Sequence, residues 1–176
     1  MSITIRLATY ADAQDIANIH ARSWEVAYKD ILPTEYIRKQ SASREAMWKR
    51  ILLTENNIHY IILNDNTAVG ILTVGPPQYE EIEIENDTGI DDSFWELHGI
   101  YLHPDYFCRG IGTTALKFAI DKAREVDKTN MFLWVFEGNV NSIKFYEKCG
   151  FSPDGARKVY ICGGKEVNCI RMRRSL

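Results

Sequence analysis

The stretch "MFLWVF", Met131 to Phe136, is nearly continuous apolar. Such a run, short and without polar interruption, describes a strand buried on both faces at the centre of a sheet. A strand of that kind needs neighbours beside it and a layer on each side, and the rest of the chain has to supply them.

The surrounding patterns do so. "ITIRLAT" (residues 3–9) alternates apolar and polar side chains, as a strand with one buried face does. Thr9 and Asp12 then form a candidate capping box for a helix with Ile16, Ile19, Trp24 and Ala27 near helical spacing. Pro33 allows a second helix to begin, and "SREAMWKRILL" (residues 43–53) supplies another, with Met47, Trp48, Ile51 and Leu52 inward. "HYIILN" and "AVGILTV", separated by Asp65 and Asn66, predict a hairpin. "FWELHGIYLHP" (residues 94–104) predicts a strand, followed by a glycine-bearing turn and a helix to about Val126 that turns Leu116, Ala119, Ile120 and Ala123 inward. "NVNSIKFYEKCG" is a short helix closed by Gly150, and "ARKVYIC" and "KEVNCIRMRR" flank Gly163 and Gly164 in a last hairpin. No repeat or linker interrupts the order, so residues 1–176 predict one mixed α/β domain.

Charge and cysteine usage narrow the function. Lys and Arg number 21 against 24 Asp and Glu, which argues against a nucleic-acid partner. The basic tail "RMRRSL" reads as a solvated strand end. Cys108, Cys149, Cys162 and Cys169 show neither a CxxC pair nor zinc spacing, so free thiols and no metal are expected. The N-terminus lacks the apolar core of a signal peptide and no apolar run approaches the roughly 20 residues that cross a bilayer, so a cytoplasmic location without membrane contact is expected. Seven acids between Glu80 and Asp92 read first as a solvated loop and second as an acidic lip for a cation.

The turn "HPDYFCRGIGTT" carries the chemistry. A helix N-terminus exposes unpaired N–H groups and the positive end of the helix dipole, Gly110 and Gly112 clear side chains from the backbone, and Arg109 adds a forked cation. That is a shape for a diphosphate. "GIGTTA" also fits the dinucleotide GxGxxG/A pattern, with Glu137 as the ribose acid, but about a hundred residues precede it where a dinucleotide fold puts its glycines after the first strand. No Walker lysine follows.

Residues 96–151 resemble the GNAT superfamily of N-acetyltransferases. The family pattern Q/R-x-x-G-x-G/A falls on Phe107, Cys108, Arg109, Gly110, Ile111 and Gly112, with Phe107 where the family has Gln or Arg. "NVNSIKFYEKCGF" is similar to the family's N-x-x-A-x-x-F-Y-E-K-x-G-F, with Ser142 in place of Ala. The resemblance implies a central, mostly antiparallel twisted sheet flanked by helices, with acetyl-coenzyme A as co-substrate. It also implies a cofactor site at Ile100, Tyr101, Leu102, the Phe107–Thr113 turn with Thr113 at its end, Asn139, Ser142 and Tyr146. Tyr146 is implied as the acid that protonates the departing thiolate and Glu96 as the base for the amine, with direct transfer in a ternary complex favoured over acyl transfer through Cys108 or Cys149. By the same analogy Trp24, Tyr28 and Tyr36 wall the side that receives a small-molecule amine or peptide. His98 and His103 are expected as packing or corner residues. A silent coenzyme A-binding regulatory module and a dinucleotide oxidoreductase are the alternatives. The edge of the last hairpin would accommodate a homodimer.

Overall fold

The computed structural model describes residues 2–54, 57–78 and 82–176. In chain order it contains β1 (Ile3–Leu7), α1 (Ala13–Ala27), α2 (Thr34–Thr54), β2 (Ile58–Asn64), β3 (Thr67–Gly75), β4 (Phe94–Leu102), α3 (Ile111–Glu125), β5 (Asn130–Phe136), α4 (Val140–Lys148), β6 (Ser152–Cys162) and β7 (Lys165–Ser175). Among the described residues seven strands form one sheet in the order β1-β2-β3-β4-β5-β7-β6, and only the β4–β5 pair is parallel. The "MFLWVF" run is β5, an interior strand as its composition requires.

Alternation assigns the two faces. Met131, Leu133 and Val135 of β5 join Leu97 of β4 against Ala115, Leu116, Ala119, Ile120 and Ala123 of α3, with Tyr146 of α4 in the same core. On the other face Ile16 and Ile19 of α1 and Trp48 of α2 close over Ile61 and Ile71. A third cluster, Leu32, Ile37, Cys162 and Val167, ties the start of α2 to the β6–β7 hairpin.

Local chemistry sets the corners. Asp65 and Asn66 take φ of 47° and 66°, Gly163 and Gly164 of 60° and 81°, the paired left-handed conformation that matches strand twist in a two-residue hairpin. The Thr9 N–H donates to Asp12 Oδ2 at 2.7 Å, and Arg6 places Nη1 and Nη2 on the same carboxylate at 2.8 and 2.7 Å. That guanidinium fork, more than the Thr9 bonds, holds the Asp12 carboxyl down to about 2.

Two expectations need correction and a third is extended. The two helices expected after Pro33 are one, α2, because Ser41, Ala42 and Ser43 interrupt the apolar period but offer neither a glycine nor a proline to end the helix. The tail is not solvated at its start: Arg171 is 1% exposed, with Nε on Asp154 Oδ2 at 2.7 Å, Nη1 on Asp87 Oδ1 at 2.8 Å and Nη2 on Thr88 Oγ1 at 3.1 Å. The acidic run is exposed at Glu83, Glu85, Asp87, Asp91 and Asp92, as a solvated loop is, but it is also tied to the body of the protein. Glu80 and Glu81 lie outside the described residues, but Asp87 is held by Arg171, Asp91 accepts from the Ser93 N–H and hydroxyl, and the main chain of Glu85 bridges Arg157 on the outer edge of β6. The segment is thus strapped across the last hairpin and covers part of the edge expected to be free.

Candidate active site

β4 and β5 pair over only three residues, Phe94 with Asn130, Trp95 with Met131 and Glu96 with Phe132. β4 nevertheless runs on to Leu102 and β5 to Phe136, so from Leu97 onward the two strands part and the β5 side of β4 has no strand partner among the described residues. On its other side β4 stays paired to β3, with a register shift that sets Thr73 against Gly99 and Val74 against Leu97 and leaves His98 as the extra residue. A bulge bends a strand and re-aims its side chains, here at the mouth of the gap.

Glu96 sits at the fork. It is 6% exposed, its Oε2 accepts the Gln78 N–H at 2.8 Å, and its Oε1 lies 3.3 Å from His98 Nδ1. It is not a carboxylate in solvent. His98 thus packs beside the second oxygen of that carboxylate. His103 is the corner residue expected, its Nδ1 accepting from the Asp105 N–H at 3.3 Å.

At the far end of β4 the chain makes a short 3-10 turn (Pro104–Tyr106) and enters the glycine turn. Phe107, Cys108 and Arg109 are exposed, with Cys108 at φ 57° and the Arg109 guanidinium 5.2 Å from the Tyr106 ring centre. The two glycines do different work. Gly110 is the N-cap of α3 at φ 78°, where a Cβ would meet nothing within 4 Å but would be strained by the backbone. A Cβ on Gly112 would stand 3.3 Å from the Phe145 ring, so this glycine lets α3 approach α4 closely. The first N–H groups of α3, at Ile111, Gly112 and Thr113, have no acceptor within the helix.

Tyr146 reaches the same region from α4. It is 9% exposed, between Phe145 and Phe151 at ring separations of 5.1 and 5.8 Å, and burial, followed by the neighbouring Tyr101 and Cys149, pushes its phenol well above the ordinary tyrosine value. Asn139 caps α4, its Oδ1 accepting the Ser142 N–H at 3.2 Å.

A strand that parts from its parallel neighbour, a left-handed glycine at the start of the crossover helix and a tyrosine beside the gap thus occur together. The profile of the acetyltransferase (GNAT) family matches residues 13–151. The chain belongs to this family. An N-acetyltransferase of Bacillus subtilis, YuaI, is 29% identical over 153 residues, covering 86% of this chain and 80% of that protein. A spermidine N(1)-acetyltransferase of Thermoplasma acidophilum is 27% identical over 160 residues, covering 88% and 91%. Among solved structures, the PaiA N-acetyltransferase of Thermoplasma acidophilum, in complex with coenzyme A, superposes with a TM-score of 0.73 at 22% identity over 100% of both chains.

In this GNAT chain the three aromatics expected on the acceptor side do gather. Trp24 and Tyr28 meet edge to face at 5.1 Å, Tyr28 meets Phe136 at 5.1 Å, and Tyr36 packs with them against Cys162 and Val167. Burial first, then the Tyr101 and Tyr146 hydroxyls, push the Tyr28 phenol well up, so three tyrosines, from the C-terminal cap of α1, from β4 and from α4, converge. The Tyr101 ring lies 4.2 Å from that of His20 and its hydroxyl adjoins Tyr28, so its side chain joins this cluster. His20 and Arg44 escaped the sequence reading altogether: His20 Nδ1 accepts from Trp48 Nε1 at 3.0 Å, and Arg44 lies 4.1 Å from the Trp24 ring centre. Their only sequence signal was a polar residue on the inward face of a helix. The dinucleotide alternative loses both its supports, since "GIGTTA" follows the fourth strand and Glu137 is paired with Arg157 at 2.8 Å. Among the described residues no group of three or more His, Cys, Asp or Glu is placed to hold a metal ion, and no helix is long and apolar enough to cross a membrane.

Proposed function

We propose that the protein moves the acetyl group of acetyl-coenzyme A to a primary amine, directly, in a ternary complex. The observation that carries this reading is the parting of β4 from β5 immediately after Glu96, with Tyr146 beside the opening and the α3 N-terminus at its far end. An extended pantetheine arm matches the unpaired edge of Ile100, Tyr101 and Leu102 as a strand would, and the pyrophosphate matches the free N–H groups of Gly110 to Thr113 with Arg109 and the Cys108 backbone beside them. Phe107 offers no polar group to this turn, so phosphate binding falls to main chain and Arg109. Asn139 and Ser142 stand at the start of α4, within the family's second motif.

Acetyl-coenzyme A supplies the activated acetyl group; the chain's residues manage the protons and the developing charge. A primary amine is mostly protonated at neutral pH and needs a base, which the buried Glu96 provides through water, its orientation fixed by the Gln78 N–H with His98 beside it. Main-chain N–H groups of the unpaired β4 edge hold the carbonyl oxygen as negative charge builds on it. As the C–N bond forms and the C–S bond breaks, Tyr146 gives its proton to the thiolate. Its raised pKa keeps that proton in place well into the alkaline range. A covalent route through Cys149 is disfavoured because burial raises its thiol, the opposite of an activated nucleophile.

The test is release of free thiol when acetyl-coenzyme A is mixed with the protein and a panel of amines. Amine-dependent release supports the enzyme. Saturable binding of acetyl-coenzyme A without release from any amine would leave the regulatory-module reading in its place.

A further inference from the structure

Arg44 is buried to 5% exposure in the middle of α2, yet its guanidinium is nearly bare of partners. Nη1 lies 3.5 Å from Met47 Sδ, a weak acceptor, and Nε and Nη2 are shut off from solvent with no hydrogen-bond partner among the described residues. The group packs over Trp24 at 4.1 Å, near His20 and within electrostatic reach of the Tyr28, Tyr36 and Tyr101 hydroxyls. These neighbours are neutral. Stacking on an indole recovers only part of what it costs to bury an arginine without a counter-charge.

The two free nitrogens are the informative detail. Nε and Nη2 share one edge of the guanidinium and point their N–H bonds in parallel, the fork that a carboxylate fills with its two oxygens. We propose that Arg44 receives a carboxylate carried by the acceptor, so that the substrate is a free amino acid or a close relative, its amine directed to the opening between β4 and β5. One cation among neutral rings matches one negative charge better than the two of a phosphate monoester. The rings of Trp24, Tyr28 and Tyr36 suit an acceptor with an apolar body. The acidic segment does not compete for this role, because Asp87 and Asp91 are engaged internally and the cavity of about 420 Å³ beside Glu83 and Glu85 is also lined by Arg157 and Lys158.

The inference rests on the acetyl-transfer reading, and the experiment separates the two. Thiol release would be compared for tyrosine, its decarboxylated counterpart tyramine, spermidine and O-phosphoethanolamine, in wild type and Arg44→Gln. The expected result is a kcat/KM for tyrosine at least tenfold above that for tyramine, falling toward parity in Arg44→Gln. Equal or better use of tyramine, spermidine or O-phosphoethanolamine by the wild type would overturn the carboxylate assignment while leaving acetyl transfer intact, as would a tyrosine preference unchanged in the variant. Should Arg44→Gln not fold, calorimetry on the wild type decides with 3-(4-hydroxyphenyl)propionate, which has the carboxylate but no amine, and the corresponding alcohol. Tighter binding of the acid by tenfold or more supports the inference even if no amine releases thiol; equal binding refutes it.

Discussion

Replacing Asp154 by alanine removes one half of a buried ion pair, and the structure sets the expected size. The side chains of Asp154 and Arg171 are each 1% exposed and meet at 2.7 Å, so Asp154→Ala strands a cation with little access to water. Breaking such a pair costs about 3–5 kcal/mol. Arg171 keeps Asp87, whose side chain is 41% exposed, which argues for the lower end of that range. The Ala156 N–H also loses its acceptor, Asp154 Oδ1 at 3.0 Å, adding about 1 kcal/mol. The sum is about 4 kcal/mol, or roughly 8–16 °C in Tm for a chain of this length. Urea unfolding followed by tryptophan fluorescence would read it, since Trp134 lies 5.6 Å below the guanidinium. The double variant Asp154→Ala/Arg171→Met buries no unpaired charge and should regain about 1–2 kcal/mol of the loss. A loss below about 1 kcal/mol for the single variant, or a double variant less stable than the single, would refute the reasoning.

Tyr146→Phe preserves the packing against Phe145 and Phe151 and removes the proton donor, so kcat should fall by about a hundredfold or more while acetyl-coenzyme A affinity stays the same; equal loss of both in steady-state kinetics and titration would end its role as acid. Gly112→Trp should abolish acetyl-coenzyme A binding by crowding the start of α3, with circular dichroism confirming that the strained contact at Phe145 has not unfolded the chain; retained affinity would remove the phosphate turn from the site. Asp12→Asn tests linkage. Because Arg6 holds the folded-state carboxyl at about 2, below its ordinary value near 4, its contribution is present above pH 4 and fades as pH falls toward 2. With Arg6 half-exposed, the wild type should exceed the variant by on the order of 1 kcal/mol at pH 6 and by much less at pH 2 in matched unfolding curves.

What the sequence disclosed follows from the range of the physics involved. Hairpin turns at Asp65–Asn66 and Gly163–Gly164, the Thr9–Asp12 corner and the core side of α3 are set by neighbours a few residues apart, and each is legible. The continuity of α2 is less so, because its apolar period lapses at Ser41–Ser43 and tertiary packing decides. Buried charges are the least legible. Arg171 is paired with residues 17 and 84 positions away, and Arg44 is held among α1, α2 and β4 side chains, so composition alone reads both as solvated. The parting of β4 from β5 is a main-chain event without a side-chain signature. Only the two spaced motifs around the glycine turn and Tyr146 pointed to it, through resemblance.

The most direct measurement is calorimetric titration of the purified protein with acetyl-coenzyme A, with NADH under the same conditions. The account predicts saturable one-to-one binding of acetyl-coenzyme A and no heat of binding for NADH. Binding of NADH alone, or of neither, would contradict it and leave the glycine turn as a dinucleotide site or a plain helix cap.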